Sequence, residues 1–99
     1  MSKEDELAAI ARFVGATGLR LGRGSSVPKA LFDAICGRFG LDASGTMPDQ
    51  AERIVRAAGM PYVRAAFDSR NSASGGGSTV TLEGLQQLRT AVQRLIARE

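Results

Sequence analysis

Apolar residues recur at helical spacing in four separate stretches of the chain, and this pattern constrains the fold more than any other feature. The longest stretch predicts a helix over 81–97 that Thr81 caps. Its apolar stripe consists of Leu82, Leu85, Leu88, Val92, Leu95 and Ile96. Shorter stretches predict helices over 4–14, 28–39 and 48–58, each followed by a glycine. The sequence therefore predicts a mainly α domain of four helices.

The second and third predicted helices form a helix-turn-helix-like pair. Ser26 is the expected N-cap of the second helix, and Thr46 with Asp49 forms a capping-box pattern before the third. The connection between them spans residues 40–47, whereas DNA-binding helix-turn-helix motifs use a turn of about three to four residues. The third helix is the candidate recognition helix, because Arg53 and Arg56 are expected on its outward face.

A polar, glycine-rich stretch separates the third and fourth predicted helices. Residues 62–67 narrowly favour a strand over a short helix, because Tyr62 and Val63 have high β-propensity, and Val80 is the expected partner across the pair. Between them, residues 68–78 read DSRNSASGGGS, which is too long for a two-residue hairpin turn. The sequence thus predicts a small β-hairpin, in the position of a wing, before the last helix.

Length and charge indicate one domain with a mild basic bias. The 99 residues (1–99) carry a net charge of +3 and form either a whole protein or one domain of a longer one. The apolar runs are too short to cross a bilayer, and the N-terminal MSKEDE is acidic, so we expect no membrane segment, no signal peptide and a cytoplasmic location. Cys36 lies in an apolar helical pattern and is expected to be a buried small hydrophobe.

The sequence lacks the residues that catalysis and metal binding need. The chain has no histidine, so its single cysteine cannot belong to a Cys–His site. The serines cluster without a base beside them, and the three consecutive glycines are not followed by the lysine of a phosphate-binding P-loop. The sequence therefore predicts a binding module without enzymatic activity and without a cofactor.

Basic and hydroxyl residues concentrate between residues 53 and 79. Between 53 and 70 there are four arginines and one acid, Asp68, which is the charge pattern of a protein that binds a phosphate backbone. Arg and Asn side chains also read guanine and adenine edges. The predicted nucleic-acid-binding residues are Arg53, Arg56, Arg64, Arg70, Asn71, Ser72, Ser74, Ser78 and Thr79. Double-stranded DNA is the predicted partner.

Three segments of the chain resemble small modules at the front of bacterial restriction and HNH-type endonucleases. These segments read GSSVPKALFDAICGRFGL, GTMPDQAERIVRAAGM and DSRNSASGGGSTVTLEGL, and the resemblance covers residues 24–96. The resemblance implies the DNA-recognition part of a restriction or defence system, separated from its nuclease. The positions that match are Ser69, Arg70, Ser74, Thr79 and Thr81. The catalytic His and Asn motifs of those nucleases are absent from this sequence, so the resemblance implies a chain that does not cut DNA.

Two other functions fit the same pattern. A helical protein–protein adaptor of a bacterial defence system, death-like or effector-associated, would also be small and built from four amphipathic helices. A regulator that forms a homodimer through the last helix is the other alternative, because a long apolar stripe suits a dimer seam as well as a core.

Overall fold

The computed structural model describes residues 2–22, 26–62 and 80–99. Within these ranges the chain forms four helices: α1 (Lys3–Phe13), α2 (Lys29–Phe39), α3 (Met47–Ala57) and α4 (Leu82–Ala97). Each predicted helix is confirmed to within one residue at either end. None of the helices in the described ranges combines the length and the apolar character that crossing a bilayer requires.

Side chains cap three of these four helices at their N-terminal ends. The Ser2 hydroxyl accepts a hydrogen bond from the Asp5 amide at the start of α1, and the Thr46 hydroxyl accepts one from the Asp49 amide at the start of α3. In both cases the aspartate side chain accepts the N-cap amide in return, which completes a capping box. Thr81 caps α4, as the sequence predicts, by accepting from an amide in its first turn.

The prediction that Ser26 caps α2 is wrong. The N-cap residue is Pro28, which makes no side-chain capping hydrogen bond. The carbonyl oxygen of Ser26 instead accepts a hydrogen bond from the Gly22 amide at 2.8 Å. The backbone of Ser26 is therefore hydrogen-bonded within the α1–α2 connection and not to the first turn of α2.

The core forms around α4, against which α1 and α3 both pack, while α2 packs against α3. The largest fully buried apolar side chains come from all four helices: Ile10, Leu31, Phe32, Ile35, Ile54, Leu85 and Leu88. Leu85, Leu88 and Val92 on α4 are each 0% exposed, so this part of the apolar stripe is buried in the core of a single chain. Burial of such side chains is the main stabilising term of a domain of this kind.

The predicted β-hairpin is wrong, because the described part of the chain contains no strand. Tyr62 packs partly buried against the core, and its hydroxyl donates to the Pro48 carbonyl oxygen at 3.3 Å. Val80, the expected cross-strand partner, is 1% exposed and enters the core one residue before the N-cap of α4. Packing against the helices therefore accounts for Tyr62, one of the two residues whose β-propensity favoured a strand, and for Val80, the expected partner. Residues 63–79, which include the rest of the predicted wing, lie outside the described residues.

The end of the chain joins the C-terminal ends of three helices. Arg98, which follows α4, donates from Nη1 to the Ala57 carbonyl oxygen at 2.7 Å and from Nη2 to that of Ala58 at 3.2 Å. Arg38 near the end of α2 donates to both carboxylate oxygens of Glu99, at 2.9 and 2.6 Å. The last turns of α2 and α3 are thus held beside the end of α4.

Candidate nucleic-acid interface

Arg53, the first predicted DNA-contacting residue, reaches back from α3 to the α2–α3 connection. Its Nη1 donates to the Asp42 carbonyl oxygen at 2.9 Å and also to the carbonyl oxygen of Ser44. The Asp42 carboxylate accepts from the Ser44 amide at 2.9 Å and from its hydroxyl at 3.0 Å. These hydrogen bonds, the amide first, lower the pKa of the Asp42 carboxyl below its ordinary value. Arg53 therefore supports the turn as well as placing a charge on α3.

A second side chain, Gln50, holds the same connection from the inside. Gln50 is 0% exposed, and its Nε2 donates to Asp33 Oδ1 on α2 at 2.7 Å and to the Ala43 carbonyl oxygen at 2.8 Å. The hydrogen bond from Gln50 is the main reason that the pKa of the Asp33 carboxyl lies below its ordinary value, and Lys29 adds to the effect. Gln50 and Arg53 together fix α2, α3 and the connection between them relative to one another.

The outward face of α3 carries both acidic and basic side chains. Arg56 Nε lies 2.7 Å from Glu52 Oε2, one helical turn earlier, and both side chains are exposed. A shallow depression of about 280 Å³ on this face is lined by two acids and two bases, Asp49, Glu52, Arg53 and Arg56. The structure thus brings the two predicted α3 arginines together. It also places carboxylates beside them, which reduces the attraction of this face for a phosphate backbone.

The other predicted site residues fall in 63–79, outside the described residues: Arg64, Arg70, Asn71, Ser72, Ser74, Ser78 and Thr79. The residues that flank this segment are described. Tyr62 lies against α3 near Pro48. At the other flank Thr81, one of the positions that match the endonuclease-linked modules, accepts a hydrogen bond from the Gly84 amide at 3.0 Å. Its hydroxyl therefore acts as a helix cap.

The side chains of three exposed arginines in the described ranges, Arg12, Arg20 and Arg94, make no hydrogen bond or ion pair. Neither Arg12 nor Arg94 is among the contact residues that the sequence predicts. A signal for both was nevertheless present, because neither has an acidic residue three or four positions away on its helix. By the same rule, the spacing of Glu52 and Arg56 already indicated a pair. The arginine side chains without a partner in the described part therefore lie on α1, on α4 and in the α1–α2 connection.

Comparison with known proteins adds no assignment, since no family model, no curated protein and no solved structure matches this chain.

Proposed function

We propose that this protein is a non-catalytic DNA-binding module, in which the segment 63–79 contacts duplex DNA and the helical core holds both ends of that segment. The observation that supports the proposal is that the helical core holds the residues on both sides of this segment. Tyr62 is hydrogen-bonded to α3, and Val80 is buried in the core at the start of α4. A segment held at both ends by one core is an internal part of the domain, and binding residues often lie on such segments.

Charge supports the same assignment. The segment carries Arg64 and Arg70 against the single acid Asp68, whereas α3 offers Arg56 already paired with Glu52. Phosphate contacts from arginine provide most of the affinity of a sequence-independent DNA complex. The main contact residues in this proposal are therefore Arg64 and Arg70. Asn71 reads base edges beside them, and the hydroxyls of Ser72, Ser74, Ser78 and Thr79 contact phosphates.

The resemblance of the sequence to modules fused to restriction and HNH-type endonucleases makes a restriction or defence system part of the same proposal. Such a module contributes target recognition, and a separate polypeptide or domain contributes the cleavage. A cytoplasmic location belongs to this proposal, because bacterial DNA is found there.

The test is titration of a fluorescent DNA duplex with the protein, followed by anisotropy at several salt concentrations. We expect binding at about 50 mM salt that weakens steeply towards about 200 mM, as release of counterions requires. Arg70→Ala should weaken binding and make the slope of log K against log salt shallower by about one. No detectable binding at about 50 mM salt would refute the proposal.

Arg94→Ala is the matched control, because it removes the same charge from an exposed, unpaired arginine on α4. We expect Arg94→Ala to change the affinity for DNA less than Arg70→Ala does. Equal losses in the two variants would show that net charge alone attracts the DNA and that the segment has no special role.

A protein–protein adaptor is the second candidate, and one observation favours it. Phe13 at the end of α1 is 37% exposed, and it borders a shallow depression together with Ala9 and the unpaired Arg12. An exposed aromatic beside an arginine is a common centre of a protein interface. Sedimentation over a range of protein concentrations tests the simplest case, a second copy of the chain. Association that Phe13→Ser abolishes and Arg70→Ala leaves unchanged would favour the adaptor.

A further inference from the structure

A cavity of about 410 Å³ lies between α1 and the connection that follows this helix. The residues that line it are Glu4, Leu7, Ala8, Leu19, Arg20 and Leu21. Leu7 is 2% exposed and belongs to the core, whereas Ala8 beside it is exposed, so the cavity has an apolar floor and opens to solvent. A cavity of this size and lining can receive an apolar group of a ligand.

The wall of the cavity that residues 19–21 form has the character of an unpaired strand edge. Leu19 and Leu21 pack half-buried against the core, and Arg20 between them is exposed, which is the alternation of an extended chain. Within the described ranges, the backbone N–H and C=O groups of these three residues make no hydrogen bond. Water satisfies these groups in the free protein, and an added strand can replace that water.

Hydrogen bonds hold the connection in place before and after residues 19–21. The Ala16 amide donates to the carbonyl oxygen of Ala11 at 2.8 Å, and the Gly22 amide donates to that of Ser26 at 2.8 Å. The edge and the cavity are therefore formed in the free protein. A ligand that binds there does not have to order the connection first, which reduces the entropic cost of binding.

Two opposite charges at this cavity lack a partner in the described part of the chain. Glu4 on α1 and Arg20 on the connection line the same cavity, yet they form no ion pair with each other or with another residue. Both side chains are exposed. A ligand that carries an acidic and a basic group on either side of an apolar one complements this arrangement.

We propose that α1 and residues 19–21 form a peptide-binding site. An extended peptide adds as a strand to the edge of 19–21 and inserts one apolar side chain into the cavity. In complexes of this kind backbone hydrogen bonds provide affinity, and a pocket for an alternate side chain provides specificity. The matching peptide has an apolar residue between an acidic residue, which pairs with Arg20, and a basic residue, which pairs with Glu4.

This site uses no residue of the segment 63–79. Peptide binding and DNA binding are therefore separate properties of the chain, and the loss of either one in an experiment leaves the other to be judged by its own test.

The probe is a capped pentapeptide with leucine at its centre, aspartate before it and lysine after it. It is titrated into the full chain while amide chemical shifts are recorded by NMR. We expect saturable shifts at Ala8 and at residues 19–21, with a dissociation constant of about 1 mM or tighter. At saturation, hydrogen exchange of at least one amide of 19–21 should slow by at least about threefold, because a strand pair protects it.

The cavity itself is tested on both sides of the complex. The same peptide with serine at its centre should bind at least about tenfold more weakly, because no apolar side chain is buried. Ala8→Phe fills the cavity from the exposed face of α1 and should weaken binding of the leucine peptide by at least about tenfold. Ala30→Phe, the same change at an exposed position on α2, is the matched control and should leave binding unchanged.

Arg20→Gln should weaken binding of the leucine peptide by about two- to fivefold, as the loss of an exposed ion pair does. The proposal is overturned if the leucine peptide gives no saturable shifts up to about 10 mM, or if the serine peptide binds equally well. Equal binding by Ala8→Phe and Ala30→Phe would also overturn it. So would shifts confined to Arg20 that acetate reproduces, because they would show contact with an anion and no added strand.

Discussion

Arg53 and Arg56 lie three residues apart on α3 and have different surroundings. Arg53 donates to two backbone carbonyl oxygens of the α2–α3 connection, whereas Arg56 faces Glu52 in an exposed ion pair. A charged donor to a carbonyl oxygen contributes more to stability than an exposed pair of charges does. Arg53 therefore has a structural role that its position on an outward helix face did not reveal.

This difference predicts unequal effects of the same substitution. Arg53→Ala should lower the free energy of unfolding by about 1–2 kcal/mol, because the turn loses its hydrogen bonds from the guanidinium. Arg56→Ala should change it by at most about 0.5 kcal/mol, as exposed ion pairs do. Urea denaturation of both variants measures the two values. Similar values would mean that the contacts of Arg53 with the turn contribute nothing.

The hydrogen bond from Gln50 to Asp33 leads to a prediction about how the stability of the protein depends on pH. The pKa of Asp33 lies below its ordinary value of 3.8 in the folded chain, mainly because Gln50 donates to its carboxylate. A carboxyl whose pKa is lowered by folding adds stability above its unfolded pKa, and this stability is lost as the pH falls through the folded value. The loss should therefore begin near pH 3.8, the ordinary value, and continue below it.

Gln50→Met removes the amide that donates to Asp33 and replaces it with an apolar side chain of similar length. The pKa of Asp33 should then return towards its ordinary value, and the loss of stability on acidification should become shallower. Urea denaturation between about pH 2 and pH 7 measures this slope. Gln86→Met, at an exposed position on α4, is the control and should keep the slope of the unmodified protein. An unchanged slope in Gln50→Met would contradict the assigned cause.

At the scale of one element, α2 contains two glycines whose backbones differ. Gly37 lies inside the helix, and a Cβ there would meet nothing within 4 Å. Gly40 ends the helix in the left-handed region, with φ of 68° and ψ of 28°. Space is also open around Gly40, so only its backbone conformation resists a side chain.

Alanine should therefore have opposite effects at the two positions. Gly37→Ala should stabilise the protein by about 0.5–1 kcal/mol, because alanine favours the helix interior over glycine. Gly40→Ala should destabilise it by about 1 kcal/mol, because an L residue is strained at positive φ. Thermal denaturation of the two variants separates these effects by the sign of the change in Tm. Two changes of the same sign would contradict the assignment of Gly40 as the C-cap.

At the scale of the whole molecule, Cys36 provides a probe of global unfolding. Its side chain is 0% exposed in the core, and burial raises the pKa of its thiol. The reactive form of cysteine is the thiolate, so the folded chain protects Cys36 both by exclusion of the reagent and by protonation. Modification should require opening of the core.

We expect a disulfide reagent to modify Cys36 in the folded protein at least about a thousandfold more slowly than in urea, as a stability of a few kcal/mol requires. Variants that lower the stability, such as Gly40→Ala, should speed the reaction in proportion to the change in the unfolding equilibrium. The measurement is the rate of release of a coloured leaving group. A rate near that of the unfolded chain would show that the thiol is accessible without unfolding.

The features that could be predicted from the sequence are local. The bounds of α1 to α4 follow from apolar residues three and four positions apart, and the start of α3 follows from Thr46 and Asp49 in a capping box. The pairing of Glu52 with Arg56 was likewise readable from their spacing on one helix. In each case the interacting residues lie within about one helical turn, where backbone geometry alone brings them together.

The incorrect and incomplete predictions depend on residues that are distant in the sequence. Tyr62 and Val80 have the propensity of strand residues, but contacts with Pro48 and with the core determine where they lie. The role of Arg53 depends on carbonyl oxygens nine and eleven residues earlier in the chain. The sequence of α3 alone does not indicate where those carbonyl oxygens lie.

The amino-acid sequence on its own determined four helices, the caps of α3 and α4, and the apolar faces of the helices, because these depend on contacts within a few residues. The tertiary structure decided which polar side chains serve the fold: Gln50 and Arg53 hold a turn, and Glu6 is buried against Arg89, 83 positions further along the chain. The physical reason is that burial and the pairing of charges are set by how the helices pack, and packing joins residues that no local spacing relates.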